Sequence, residues 1–264
     1  MAFLNYKGIE SFNDTLIKEL PQDIETLYVW NNQIRTFKHS EKLPRNLKEF
    51  YLGFNQISSF EHSEGLPIGL EILYLGGNQI NSFKQSENLP RTLKKLILTG
   101  NQIRSFKGCE NLPVGLEKML DLYGNEIGSF EHSEELPRNI KVIDLGGNKI
   151  SSFEHSEGLP IGLEILYIID NTISSFKGCE NLPRNLKQLI IDNPQIEYPQ
   201  KILRYTQFKF EPLETIKFLQ RYQDFVPILN EIKYNPRLER MKSKLKEEEK
   251  QIKKDPESFY KLII

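Results

Sequence analysis

Residues 66–83 read LPIGLEILYLGGNQINSF, and close variants of this stretch recur along most of the chain. The shared frame is L-P-x-x-L-x-x-L-x-L-x-x-N-x-I-x-S-F. A fixed period of this length indicates an architecture in which each copy is one structural unit stacked on the next. The asparagine of the frame returns every 23 residues, or 24 at one point, at Asn32, Asn55, Asn78, Asn101, Asn125, Asn148 and Asn171.

The core of this frame, L-x-x-L-x-L-x-x-N, resembles the signature of leucine-rich repeats. The resemblance covers about residues 1–198. It implies an α/β leucine-rich repeat solenoid, a curved right-handed superhelix with a parallel β-sheet on its concave face. In each copy a short strand such as Leu73-Tyr74-Leu75 should point its two Leu inward and its Tyr outward. The return segments contain Pro, Ser and Gly, which predicts short 3₁₀ or extended segments on the convex side.

Three columns of the frame are predicted to be structural. An Asn side chain donates and accepts hydrogen bonds at once, so stacked copies should bond the backbone in a continuous ladder. Columns of Ile and Phe follow each Asn and should fill the core between neighbouring copies. The Phe column consists of Phe37, Phe60, Phe83, Phe106, Phe130, Phe153 and Phe176.

The period divides the chain into three parts. Residues 1–19 keep the spacing of a half-copy and are predicted to cap the N-terminal end. Residues 20–198 hold eight copies of about 23 residues, the last of them degenerate because Pro194 stands where the Asn belongs. The fifth copy has one extra residue among 117–119, which we expect to form a bulge before its strand.

Residues 199–264 lose the period and are predicted to form a helical C-terminal cap with a charged tail. Apolar residues over 211–232 recur mostly three or four apart, which favours a helix covering the edge of the last copy. For residues 236–254 three alternatives stay open: a solvated helix packed through one apolar stripe, a dimer contact, or a partner-binding helix.

Composition excludes several classes of protein. The 35 Lys and Arg nearly balance the 36 Asp and Glu. Nucleic-acid binding would favour a concentrated basic stripe, so it is not predicted. No apolar run is long enough to span a membrane, and no signal peptide is visible. The two Cys, Cys109 and Cys179, lie three copies apart, too far for a disulfide. We therefore expect a cytoplasmic protein.

Outward-pointing strand positions supply the candidate binding residues. Aromatic side chains cluster over the first three copies, and Tyr and Trp are enriched at binding hot spots. The alternative is a cross-strand aromatic ladder that only stabilises the sheet. An acidic pair follows at mid-array. The predicted partner-binding residues are Tyr28, Trp30, Tyr51, Phe54, Tyr74, Asp121, Tyr123, Asp144 and Tyr167.

No catalytic motif, cofactor motif or metal site is predicted. The chain has no Gly-rich phosphate loop, no G-x-S-x-G, no H-E-x-x-H and no paired C-x-x-C. The four His all occupy one slot, F-x-H-S-E, at His39, His62, His132 and His155. Nearby Glu residues suggest a metal, but internal duplication explains the repetition more simply.

Two further resemblances bear on function. The L-P-x-x-L start resembles the repeats of bacterial type-III effectors with ubiquitin-ligase domains, whose catalytic Cys follows the repeats; no Cys follows Cys179 here, so ligase activity does not carry over. The S-F-x-x-S-E-x-L-P copies resemble leucine-rich repeat proteins of amoeba-infecting giant viruses. We predict a non-enzymatic scaffold that binds an unknown protein through the concave face of the array. If the chain is viral, the expected partner is a host protein and the expected location is the host cytoplasm or the virion. The alternatives are self-association through residues 236–264, or an effector activity in the C-terminal helices.

Overall fold

The computed structural model describes residues 1–174 and 178–191. The predictions for Phe176, for Pro194 and for the helical cap and tail at 199–264 concern residues outside the described ones. Within the described part of the chain, nine strands pair in parallel in chain order. They are β1 Ala2–Phe3, β2 Thr26–Tyr28, β3 Glu49–Tyr51, β4 Ile72–Tyr74, β5 Lys95–Ile97, β6 Met119–Asp121, β7 Val142–Asp144, β8 Ile165–Tyr167 and β9 Gln188–Ile190.

Short 3₁₀ helices lie on the return path of the copies, as predicted. Each is a single three-residue turn that ends at the Leu-Pro pair, where the Leu takes the extended conformation that a following Pro requires. One short α-helix, α1 at Thr15–Lys18, replaces this turn in the N-terminal half-copy, and Asp14 caps it. The 3₁₀ helices are Ser40–Lys42, Ser63–Gly65, Ser86–Asn88, Cys109–Asn111, Ser133–Glu135, Ser156–Gly158 and Cys179–Asn181.

The core lies between the strands and the return turns. The middle residue of every complete strand is buried, as are the residues of the Ile and Phe columns within the described residues. Phe130 and Phe153 stack with ring centroids 6.4 Å apart, so neighbouring copies complete each other's core. Ile9 and Phe12 of the half-copy are fully buried in the same core.

The asparagine ladder is a continuous hydrogen-bonded column. Asn78 shows the pattern: its Nδ2 donates to the carbonyl of Leu75 in its own copy and to that of Leu52 in the copy before, at 2.9 and 3.0 Å. Its Oδ1 accepts the N–H of Ile57 at 3.0 Å. Each Asn thus joins two copies and satisfies backbone groups that leave the sheet.

The extra residue of the fifth copy is absorbed before its strand. The N–H groups of Lys118 and Met119 both point to the carbonyl of Lys94, at 3.1 and 3.3 Å. The register resumes at once, with Lys95 paired to Met119. The sheet therefore continues unbroken, and its outward positions stay in line from β1 to β9. Among the described residues, no helix has the length and apolar character that a membrane span requires.

Candidate functional site

The candidate site lies on the outward side of the strands, which we call the sheet face. In β2 to β8 the first and third residues of each strand are half-buried, while the middle one is fully buried. Parallel register aligns these residues in rows across the sheet. The third-position row runs Phe3, Tyr28, Tyr51, Tyr74, Ile97, Asp121, Asp144, Tyr167 and Ile190.

Four aromatic residues occupy the N-terminal end of this row, and Trp30 lies two residues past Tyr28. Ring contacts link all five, which we call the aromatic cluster: Phe3, Tyr28, Trp30, Tyr51 and Tyr74. Phe3 stacks on Tyr28 with centroids 4.8 Å apart, and Tyr28 stacks on Tyr51 at 4.5 Å. Tyr51 and Tyr74 meet at 6.1 Å. Trp30 meets Tyr28 edge-on and Tyr51 at a tilt, both at 6.3 Å, and stacks on Tyr74 at 5.5 Å. The contacts form one continuous surface over four strands.

Two glycines let this surface lie close to the backbone. A Cβ placed on Gly53 or on Gly76 would come within 2.8 Å of the ring of Tyr74. The Tyr74 ring therefore rests directly on the backbone just past β3 and β4, where any larger residue would push it away. This close approach sets the direction of the ring.

The polar atoms of the aromatic cluster differ in their hydrogen bonding. The hydroxyl of Tyr51 donates to Oε2 of Glu49 at 3.2 Å. Burial, with the neighbouring charge of Glu49, raises the pKa of Tyr51 to about 12. The indole Nε1 of Trp30 is buried and has no hydrogen-bond partner among the described residues. A buried N–H donor without an acceptor lowers the stability of the folded state. An aromatic ladder that served stability alone would be expected to avoid one.

Phe54 lies apart from the cluster. Trp30 aligns with Gly53, because the Asn31 N–H bonds to the Gly53 carbonyl, so Phe54 falls one residue beyond. Its backbone is left-handed, with φ of 54°, and its ring lies over Gly77. At 55% exposure, it makes no ring contact with the cluster in the described structure. Phe54 therefore extends the apolar surface without joining the stack.

The acidic pair lies two strands beyond Tyr74. Asp121 and Asp144 are direct neighbours on β6 and β7, and both are half-buried. Each uses Oδ1 to accept a backbone N–H two residues on, from Tyr123 and Gly146, both at 2.9 Å. Burial, together with the charge of Asp121, raises the pKa of Asp144. Neither carboxylate forms an ion pair with a described residue.

The remaining predicted residues continue the face toward its C-terminal end. Tyr167 follows Asp144 in the row, half-buried between it and Ile190. Tyr123 lies just past β6, and its hydroxyl reaches Oδ2 of Asp170 at 3.4 Å. The predicted residues thus form an aromatic part and an acidic part, separated by Ile97.

The His slot has a structural explanation that the sequence did not reveal. His39, His62, His132 and His155 all adopt left-handed backbone, with φ between 64° and 69°, where each precedes a 3₁₀ helix. Gln85, Gly108 and Gly178 fill the same slot in the other copies. Among non-glycine residues, His is one of those enriched in this conformation. The shared left-handed backbone is therefore compatible with His at this slot and offers a structural reason for its repetition.

One His does lie within a group of possible metal ligands. His132, Glu134 and Glu135 place their ligand atoms within 4.8 Å of one another. Their contacts are already those of an ordinary surface network: Nδ1 of His132 lies 3.1 Å from Oε1 of Glu135, and the Gly108 N–H donates to Oε2. Cys109 nearby is a buried thiol whose pKa is raised by burial and by Glu135. A raised pKa disfavours the thiolate that a nucleophile or a metal ligand needs.

Sequence reasoning missed Phe3 and the two glycines. Phe3 precedes the first full copy, where the frame is truncated, so its strand position could be found only by extending the register backward from Tyr28. Gly53 and Gly76 occupy positions that the frame leaves free. The glycines of neighbouring copies at this position were the available signal that a ring packs there.

Solved structures of bacterial proteins share this architecture. The chain aligns with internalin InlF of Listeria monocytogenes at a TM-score of 0.52 and 19% identity, over 72% of this chain and 56% of the internalin. Internalin C2 of the same organism gives 0.50 and 23%, over 67% and 81%. A leucine-rich repeat protein of Leptospira interrogans gives 0.53 and 26%, over 78% and 54%. The chain has the leucine-rich repeat fold.

These likenesses concern the leucine-rich repeat fold alone. The chain spans only about half the length of InlF and of the Leptospira protein. No family model and no curated protein matches the sequence. The function has therefore to be argued from the sheet face itself.

Proposed function

We propose that this chain is a non-catalytic scaffold that binds a protein partner on its sheet face, with the aromatic cluster as the anchor. One observation carries the proposal: five aromatic rings touch one another on the outward side of the sheet, outside the buried core. A stack of repeats presents an extended surface of this kind, and such surfaces are what repeat proteins use for binding.

The alternative, a ladder that only stabilises the sheet, accounts less well for the details. The ring of Phe3 at the end of the stack is 61% exposed, so one side of the cluster faces solvent. The Nε1 of Trp30 is left without a partner among the described residues. Tyr and Trp, with two side-chain torsions each, provide large contact areas at low entropic cost, which suits an anchor.

We propose only the class of the partner, which is a protein. A protein is favoured because the face is long and mixed in character, with aromatic, aliphatic and acidic side chains in one row. The resemblance of the repeats to giant-virus proteins extends the proposal to a host-cell protein, met in the host cytoplasm or at the virion. Self-association through residues 236–264 concerns residues outside those described, and stays a prediction.

The test is affinity capture from a lysate of amoebal cells with three immobilised proteins: wild type, Tyr51→Ala/Tyr74→Ala, and Ile68→Ala/Ile161→Ala. Ile68 and Ile161 are highly exposed apolar residues outside the sheet face, so they control for loss of apolar surface in general. We expect a protein retained by wild type and by the control, and lost from the Tyr variant. Equal retention by all three would contradict the proposal.

A further inference from the structure

The sheet face has a charge pattern that specifies the partner's chemistry more narrowly. The aromatic cluster ends at Tyr74 on β4, and the carboxylates of Asp121 and Asp144 follow on β6 and β7. Only Ile97 lies between them in the row. An apolar surface and an acidic pair therefore adjoin on one continuous face, within reach of a single bound segment.

Neither of the two carboxylates forms an ion pair with a residue that the structure describes. Like charges on directly neighbouring strand positions destabilise a sheet. Here each Asp spends one oxygen on a backbone N–H, which leaves Oδ2 of each without a hydrogen bond from the described residues. By contrast, Glu164 on the side of the array forms ion pairs with Lys141 and Lys187. Within residues 1–174 and 178–191, the acidic pair on the sheet face has no such ion pair.

Resting on the proposed function, we propose that the partner presents a segment with an arginine held between Asp121 and Asp144 and an apolar or aromatic residue seated on the aromatic cluster. Parallel strands lie about 4.8 Å apart, which places the two carboxylates at a separation that one guanidinium can bridge. Arginine offers five N–H donors in a fixed plane, whereas lysine offers a single point of charge. The geometry therefore favours arginine over lysine.

The spacing between the two parts of the site sets the spacing in the partner. From β4 to β6 is two strand separations, or about 10 Å. An extended chain covers about 3.3 Å per residue, so roughly three residues separate the apolar anchor from the arginine. Such a segment crosses the strands and lies along the row of outward residues.

The experiment is a selection of random 12-residue peptides, displayed on phage, against the immobilised full chain. Peptides that also bind the Tyr51→Ala/Tyr74→Ala variant are subtracted. We expect the remaining peptides to carry an arginine two to four positions from an aromatic or aliphatic residue. One enriched peptide is then synthesised, and its affinity is measured by fluorescence anisotropy.

A double-mutant cycle assigns the arginine to its site. Asp121→Asn/Asp144→Asn should weaken the peptide about tenfold or more, since hydrogen bonds to charged groups are the stronger ones. Replacing the peptide's arginine with alanine should weaken its binding to wild type by a similar factor. The same replacement should weaken its binding to the Asn variant hardly any further, because the carboxylates are already absent. Replacement by lysine should cost less. Glu134→Gln/Glu157→Gln removes two exposed charges at the 3₁₀ turns and should leave the affinity unchanged.

The outcomes separate the two proposals. Peptides that depend on Tyr51 and Tyr74 but lack a basic residue, or bind the Asn variant as well as wild type, would overturn the arginine site and leave the proposed function standing. Lysine in place of arginine throughout would overturn the preference for a bridging guanidinium. If no enriched peptide depended on Tyr51 and Tyr74, the aromatic anchor itself would fail, and this inference with it.

Discussion

Tyr28 and Tyr51 stack face to face on neighbouring strands, with ring centroids 4.5 Å apart and planes 11° from parallel. The stack continues to Phe3 on one side, and on the other side Tyr51 meets Tyr74 in a tilted contact. Strand spacing brings the rings together, and the outward strand position keeps them out of the core. The same repeat geometry that closes the core thus builds a contiguous aromatic surface.

The direction of this surface depends on the backbone beneath it. In Gly76→Ala the new methyl group would meet the ring of Tyr74 within 2.8 Å, so the ring must lift away. We expect a changed near-ultraviolet circular dichroism spectrum from the disturbed stack, with far-ultraviolet signal retained. Gly69→Ala is the control, because nothing lies within 4 Å of its Cβ. An unaltered aromatic spectrum in Gly76→Ala would show that the ring does not rest on this residue.

The asparagine ladder should be costly to interrupt at mid-array. Asn101→Ala removes the acceptor of the Ile80 N–H and the donor to the carbonyls of Leu75 and Leu98. Leaving such buried groups unsatisfied should cost about 3 kcal/mol of unfolding free energy. Urea unfolding measures the loss, with Gln102→Ala at the exposed neighbouring position as the control. A loss no greater than that of Gln102→Ala would rule out a structural role for the ladder.

Stability should depend on pH through Asp144. Its pKa is raised by burial, so the folded state holds this proton more tightly than the unfolded state, where the pKa is about 3.8. Below 3.8 both states are protonated and no cost arises; as pH rises through the folded pKa, the cost of the buried charge appears in full. Asp144→Asn should therefore unfold at higher urea than wild type at pH 7.

The difference in urea midpoint between Asp144→Asn and wild type should shrink as pH falls through the acid range. Asn suits this comparison because its side-chain oxygen can still accept the Gly146 N–H. Urea midpoints of both proteins at a series of pH values measure it. A difference of constant size at every pH would show that the gain comes from something other than the charge of Asp144.

The sequence predicted the fold because each copy repeats the same structural requirements. The Asn, Ile and Phe columns recur because every coil must satisfy the same turn and fill the same core, which makes the period visible. The extra residue near 117–119 could be located for the same reason. Within residues 1–174 and 178–191 the strands and turns follow the predicted frame, with α1 in the half-copy as the departure.

The site was predictable only in outline, because its residues are the ones the frame leaves free. Alternation placed Tyr28, Tyr51 and Tyr74 outward, and the parallel register then brought them together. Phe54 illustrates the limit: a shift of one residue relative to Trp30 puts its ring over Gly77 instead of on the stack. Ring directions depend on packing against neighbouring backbone, which a periodic pattern does not encode.

The central claim is that the aromatic cluster anchors a protein partner. It is tested most directly by the dissociation constants of a captured partner for wild type, Tyr51→Ala/Tyr74→Ala, and Phe3→Ala, an exposed member of the cluster whose loss leaves the core intact. Because Tyr51 and Tyr74 are both taken as hot spots, the double variant should bind about a hundredfold more weakly or worse. Phe3→Ala should lose less affinity. Unchanged affinity in both variants, with their urea midpoints near that of wild type, would contradict the claim.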